Sequence, residues 1–517
     1  MLLGVALLVL ALTGYLATMA TSFVFGDSAH YLNLANTGGL NDRGNGVPLY
    51  ITTLNAAVHF PLPFQASDGV RCGFITVLFG VTIVMLSFRA GLRVTGNPAS
   101  AFAAGLAVLS SGLVWSNVTW IMPHITLAFV SAIVLNLLLA VDSKGSSRTV
   151  LFFLGLACGL GFGLMPNAVL LLPGIVVSLW MILETSARRR GLTRFGLGTA
   201  LGIGINVILI AMHESRVPTV SGHDVSIMEA TWFYLHGGDE VSWFMYNVTL
   251  GHVLRGLARL PLDIVAEFES VGTFLALLGL WVGLRRRPSL HVGLVLTVAL
   301  VAFWVGSYPG DTGPLHGLTA YPIVAFWLAI GAGQVLGYAV SRGRALGLDR
   351  LPPALLQIVF GAGLCAAMLA GIAGGKLIYR EKICTGDYWV FEGFCTERVP
   401  EPAGDRYLVR ARDAVMRVPE GALVLGAAWD ATHQMNYFIR VHGTRADLDG
   451  ALDLTKLDVA SFEKIARPYW QRGNSVYLFG EWEDVEAWSP ELLPHIDSRP
   501  QGEFLFELID AGEESGP

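Results

Sequence analysis

The segment Gly26-Asp27-Ser28-Ala29-His30-Tyr31-Leu32-Asn33-Leu34-Ala35 invites a chemical reading. Asp27 follows directly on an apolar run, so its carboxylate stands where a lipid-linked substrate meets water, placed to take a proton from an attacking hydroxyl. Asp is also a favoured helix N-cap, and the same residue could start a helix through Tyr31 to Ala35. The sequence leaves both uses open. Arg43, in the same loop, and Arg71, at the head of the next apolar run, are the nearest cations. An arginine at a span end also snorkels toward headgroups, an equal account of Arg71. His124 could hydrogen-bond a ligand, or pack between helices. Asp311 is a second candidate carboxylate, although Pro309-Gly310-Asp311-Thr312-Gly313-Pro314 is also turn chemistry.

Other chemistries find less support. His236-Gly237-Gly238-Asp239-Glu240 holds metal-capable side chains without a dedicated ligand spacing, so no metal site is assigned. No Gly-rich loop ends in Lys-Ser or Lys-Thr, which disfavours direct nucleotide hydrolysis. The formal net charge is -6 and no basic run is interleaved with aromatics, which disfavours nucleic acid as a partner.

The elements that must position these residues are membrane helices. Of 517 residues, 53% are hydrophobic and only 14% charged, with a mean hydropathy of +0.56, whereas ordinary soluble domains carry about 25% charged residues. Apolar runs long enough to cross hydrocarbon predict eleven spans, near 3 to 23, 70 to 88, 99 to 115, 119 to 140, 149 to 165, 168 to 184, 195 to 213, 270 to 284, 289 to 307, 317 to 340 and 354 to 378. The first has no basic residue in front of it and reads as a retained helix, while the small residues Ala17 to Ala20 leave a cleavable signal as the alternative. Leu49 to Phe60 is apolar but short, suited to an interfacial or re-entrant helix.

Cations occupy every second connection: Arg89 and Arg93; Lys144 and Arg148; Arg188 to Arg190 and Arg194; Arg285 to Arg287; Arg342, Arg344 and Arg350. The positive-inside rule places these in the cytoplasm, with the N-terminus, and leaves the first loop and the tail outside a cytoplasmic (inner) membrane. Tyr and Trp gather at headgroup level, so the outward loop holding Trp232, Tyr234, Trp243 and Tyr246 is expected to contain helices along the outer surface. Residues 1–379 form the expected membrane domain and 380–517 a small extracytoplasmic α/β domain. Its expected strands are Ala422 to Gly426, Ser475 to Phe479 and Phe504 to Ile509, with helices at Asp413 to Arg417 and Ser461 to Ala466. Cys72, Cys158 and Cys365 lie in apolar runs as small buried hydrophobes. Cys384 and Cys395 are close enough to pair in an oxidising compartment, or to remain free thiols.

Asp27 with Tyr31 and Ala35, directly after a first membrane helix, resembles the first-loop signature of the GT-C superfamily of polyprenyl-phosphate-sugar-dependent glycosyltransferases. Val47-Pro48-Leu49-Tyr50, Arg71, Trp115-Ser116, Tyr308-Pro309-Gly310-Asp311, Tyr321-Pro322 and Gly331-Ala332-Gly333 are similar to the protein O-mannosyltransferase-like branch. So is the tail segment Gly421 to Gly426 with Trp429-Asp430 and Tyr437-Phe438. The chain departs from that pattern in having Pro166-Asn167 where a histidine is common, and no acidic residue in Trp120 to His124. The resemblance implies a polytopic α-helical membrane enzyme without a resident cofactor, a divalent cation being an open question. Its donor would be a polyprenyl-phosphate sugar in membrane lipid and its acceptor a glycan, lipid or protein hydroxyl. Asp27 would be the base of an inverting transfer, and Tyr31, Arg43, Tyr50, Arg71, His124 and Asp311 would bind substrate.

Two other classes share the many spans. A transporter or lipid-sugar flippase should carry ionisable residues at mid-membrane and show two related halves; the sequence shows neither. A non-catalytic envelope scaffold would need no first-loop base, which substitution of Asp27 tests.

Overall fold

The computed structural model describes residues 2–19, 28–40, 47–60, 66–144, 147–216, 226–236, 249–307, 313–346, 348, 351–384, 404–427, 429–436, 439, 448, 450–454, 457–480, 482, 485–486, 490–501 and 505–510. The described residues form two compact units interleaved along the chain: Met1–Met19, Gly38–Thr53 and Phe74–Pro400 in one, and Ala20–Thr37, Leu54–Gly73 and Glu401–Pro517 in the other.

The chain opens with α1 (Leu2–Thr18), α2 (Ser28–Thr37), α3 (Pro48–His59) and α4 (Asp68–Thr95). Next come α5 (Pro98–Ser110), α6 (Gly112–Thr119), α7 (Ile125–Lys144) and α8 (Arg148–Leu164). A 3-10 turn, Pro166–Leu170, leads into α9 (Leu171–Ile182), followed by α10 (Thr185–Arg216) and α11 (Ile227–His236). Then come α12 (Leu250–Arg286), α13 (Pro288–Ser307), the single turn α14 (Gly313–His316), α15 (Tyr321–Ala345) and α16 (Pro353–Cys384). Among the described residues six helices are long and apolar enough to cross a membrane, and a bent pair makes a seventh. The shorter apolar helices Leu2–Thr18, Arg148–Leu164, Pro166–Ile182 and Leu355–Ala370 fall on the remaining expected spans. This is a multi-pass helical membrane protein.

Two expected spans have a different form. The run 99 to 115 is broken into α5 and α6, bent by 61°. Ser111 causes the break: its hydroxyl accepts from the Val114 N–H and caps α6, a local bond that competes with helix continuation. The run 270 to 284 is the second half of α12, whose backbone leaves helical geometry only at Glu269, at φ 58 and ψ 173. The first half is amphipathic, exposing Leu250, Leu254, Leu257, Leu262 and Val265, and its polar face hid it from a search for continuous apolarity.

Glycines bring these helices together. A Cβ on Gly279 would collide with the Trp327 carbonyl, and one on Gly331 with that of Leu275, so α12 and α15 meet backbone to backbone. Gly155 of α8 and Gly198 of α10 do the same with the carbonyls of Phe195 and Phe152. Small residues at such crossings are how helices associate where lipid removes the hydrophobic drive.

The second unit contains a five-stranded sheet. Its elements are α17 (Gly404–Arg417), β1 (Leu423–Gly426), α18 (Trp429–Asn436), β2 (Ala451–Asp453), α19 (Val459–Gln471), β3 (Val476–Phe479), β4 (Ile496–Pro500) and β5 (Leu505–Asp510). The strand order is β2-β1-β3-β5-β4. β1 is parallel to β2 and β3, while β5 is antiparallel to both β3 and β4. Leu425, Phe462, Leu478 and Leu508 centre its core. The three expected strands are present. β2 has only three residues, and β4 alternates too little for its pattern to show, since Asp497, Arg499 and Pro500 leave it largely exposed at the sheet edge.

Candidate functional site

Asp27, Arg43 and Asp311 lie outside the described residues, as do residues 237–240, Cys395 and the side chain of Cys384. The other predicted residues divide between the units: Tyr31 and Arg71 in the second, Tyr50 and His124 in the first.

Ser28, the residue after Asp27, opens α2. Ser28, Ala29, His30, Tyr31 and Leu32 are all buried. Five consecutive positions cover every side of a helix, so α2 is enclosed rather than laid on a surface. The Asn55 amide, in the later part of α3, donates to the Ala35 carbonyl at 2.6 Å, and α18 packs against α2 as well.

Arg71 lies in the first turn of α4, where the Ser67 hydroxyl accepts from the Val70 N–H. Its Nη1 donates to the carbonyls of Val58 (2.8 Å) and Phe60 (2.6 Å), and its Nε to that of Ala66 (3.2 Å). Val58 belongs to the last turn of α3, whose carbonyls have no intrahelical partner. One guanidinium therefore joins the end of α3 to the start of α4, with its positive charge at the negative end of the α3 dipole.

In the first unit Tyr50 is fully buried on α3. Two residues on, the Thr52 hydroxyl is 2.8 Å from His213 Nε2, and His213 Nδ1 bonds to the Gly38 carbonyl. His124, between α6 and α7, is buried with its ring edge-on to His316, centroids 5.1 Å apart. His316 Nδ1 is 2.7 Å from the Asn167 amide nitrogen, which makes His316 the acceptor at Nδ1 and puts its proton on Nε2. The asparagine that stands at a position where a histidine is common thus holds another histidine by its side chain.

Sequence reasoning missed a second cluster. The two Glu267 carboxylate oxygens each accept from the Leu113 N–H at 3.3 Å, placing a negative charge at the N-terminus of α6, where the helix dipole favours it. Asp263 lies one turn earlier on α12, and the Tyr321 phenol is within electrostatic reach of both carboxylates. Tyr321 also packs on Phe268, with centroids 5.4 Å apart. Further along α6, the Trp115 indole N–H donates to Thr18 Oγ1 at 3.0 Å, and its ring meets Tyr15 edge-on at 4.9 Å. The helix that carries Trp115-Ser116 is therefore fixed by Ser111, by Glu267 and by α1. Asp263 and Glu267, four apart just before an apolar run, were the available signal.

Among the described residues no three His, Cys, Asp or Glu side chains gather as a metal site. The arrangement offers a carboxylate anchoring a helix break, a buried histidine pair, and an arginine joining the end of α3 to the start of α4.

No protein-family model matches the sequence. The undecaprenyl phosphate-alpha-4-amino-4-deoxy-L-arabinose arabinosyl transferase 2 of Pseudomonas fluorescens is 33% identical over 189 residues, and the match covers 31% of this chain and 31% of that relative. The crystal structure of ArnT from Cupriavidus metallidurans bound to undecaprenyl phosphate is similar at 16% identity, covering 99% of both chains with a TM-score of 0.59. The archaeal oligosaccharyltransferase AglB from Archaeoglobus fulgidus, in complex with an inhibitory peptide and a dolichol-phosphate, gives 11% identity and a TM-score of 0.54, covering 99% of this chain and 75% of that one.

Proposed function

The chain carries the GT-C membrane fold, and on that premise we propose that it transfers a sugar from a polyprenyl-phosphate donor to an acceptor hydroxyl at the extracytoplasmic face of the inner membrane. The observation that carries this reading is the likeness along 99% of the chain to a structure holding undecaprenyl phosphate.

In this reading Asp27 deprotonates the acceptor hydroxyl. The resulting oxygen attacks the anomeric carbon from the face opposite the phosphate, the C–O bond to phosphate breaks, and the configuration inverts. Charge then develops on the departing polyprenyl phosphate, where Arg43 and Arg71 supply cations. Arg71 would do so through Nη2, since Nε and Nη1 are engaged with carbonyls. Tyr31, Tyr50, His124 and Asp311 contact the sugar and acceptor. The neutral His316 beside His124 extends the set of hydroxyl-recognising groups. The acceptor is a glycan, lipid or protein.

The test is release of undecaprenyl phosphate from a panel of undecaprenyl-phosphate monosaccharides by the purified chain in lipid nanodiscs, with a membrane extract supplying acceptor. Asp27→Asn is expected to lower the rate by about 10²–10⁴-fold with unchanged expression. Undiminished transfer by Asp27→Asn would remove the base assignment, and absence of release from every donor would remove the transferase reading.

A further inference from the structure

We infer that the C-terminal sheet domain is a positioning device for the first loop, acting through α18 on α2. The inference rests on the reading of Asp27 as the base, because Asp27 immediately precedes α2 in sequence.

A ten-residue helix is too short to be stable by itself, and α2 has no broad apolar face, since Ser28 and His30 are buried along with Ala29, Tyr31 and Leu32. Its order must come from what covers it. α2 shares a compact unit with residues 54–73 and 401–517, and within that unit it packs against α18 besides taking the Asn55 amide of α3 on its Ala35 carbonyl.

α18 is in turn locked to the sheet at both ends. At its start, Gly426 closes β1 where a Cβ would strike the Thr432 hydroxyl and sit 2.5 Å from the Thr432 backbone nitrogen. A Cβ on Gly480, just past β3, would stand 2.6 Å from the Ala427 Cβ. At its end, the Asn436 side chain takes both backbone groups of Ala451 in β2: Oδ1 accepts from the N–H at 2.7 Å and Nδ2 donates to the carbonyl at 3.0 Å. An amide that satisfies a donor and an acceptor of one residue fixes helix to strand in register. Sheet, α18 and α2 form a continuous packed path to the residue after Asp27.

Gly426→Ala and Asn436→Ala each loosen α18 from the sheet, at opposite ends. Gly473→Ala is the control: its φ of +74 also strains an added side chain, but nothing lies within 4 Å of its Cβ. In the full-length chain, both α18 variants should speed amide exchange in residues 28–37 at least tenfold. They should lower kcat for undecaprenyl phosphate release at least tenfold, with KM for the donor within twofold. Gly473→Ala should do neither. Exchange in residues 423–426 and 476–479 identifies a variant whose sheet has unfolded, leaving the other variant to decide. Unchanged exchange in α2 overturns the clamp, and faster exchange with unchanged kcat overturns its positioning role. If Asp27→Asn keeps its activity, the base reading fails separately, and the exchange experiment still decides whether α18 holds α2.

Discussion

Arg71→Lys separates two roles of one guanidinium. Nη1 spans the Val58 and Phe60 carbonyls while Nε reaches Ala66, a fork that the single ammonium of lysine cannot reproduce. Hydrogen bonds to a charged group contribute about 1.5–3 kcal/mol when buried; with Arg71 only half-buried, about 0.5–1 kcal/mol each is the appropriate scale. Lysine keeps one bond and a cation at the end of α3, worth about 0.3–1 kcal/mol. The net cost is then about 1–2 kcal/mol, equivalent to roughly a 5- to 30-fold rise in local opening. Hydrogen exchange by mass spectrometry on nanodisc-embedded protein should show that rise at residues 54–60 and 66–73, while the core of α15 stays protected. Undecaprenyl phosphate titrated in parallel reports the anion-binding role. Unchanged exchange in Arg71→Lys would refute the loop-ordering argument, and a tenfold loss of affinity alongside it would assign the residue to phosphate alone.

Three further outcomes follow from the geometry. Gly331→Ala places a methyl against the Leu275 carbonyl and should cost about 1–3 kcal/mol or more by overpacking, read as a lowered apparent Tm; Gly337→Ala on the same helix, with nothing within 4 Å, should be neutral or stabilising. Glu269→Gly relieves a backbone conformation that costs a non-glycine residue about 1–3 kcal/mol and loses about 0.5–1 kcal/mol to glycine's greater freedom when unfolded, so the apparent Tm should hold or rise; Glu269→Ala should bring no gain. The Ser226 hydroxyl and N–H both bond to the Glu229 carboxylate and hold its pKa below the usual 4.5. The resulting stability of the α11 start is full above pH 4.5 and lost as pH falls through the lower folded value, which pH-dependent exchange at residues 226–236 measures. Ser226→Ala should remove most of that dependence.

The spans were legible because each needs a long apolar run, and so were the strands of the sheet centre, because β1 and β3 are apolar throughout. The bend at Ser111 was not, since serine is ordinary in membrane helices and only its bond to Val114 shows that it caps. Glu267 was hidden because its partner is a backbone N–H 154 positions away, and no local pattern records so distant a pairing. Asn167 was visible as a departure from a family pattern, but its bond to His316 gives it a place in the site that the pattern could not supply. Arg71 was found by its position beside an apolar run, whereas its engagement with the end of α3 is with backbone carbonyls, groups that every residue carries and no residue type marks.

The interleaving of the units bears on how the proposed enzyme matures. The chain passes between them at 19/20, 37/38, 53/54 and 73/74, then once more at 400/401. Contacts this distant in sequence form late, because chain entropy opposes them until both ends exist. Residues 28–37 are synthesised early, yet α18 emerges only after residue 428. Until then α2 has neither the length nor the apolar face to hold itself together. The candidate base immediately precedes, in sequence, a helix packed on a segment made about 400 residues later. Truncation inside the sheet domain should therefore leave the span helices inserted and the first loop unordered, coupling activity to completion of the tail.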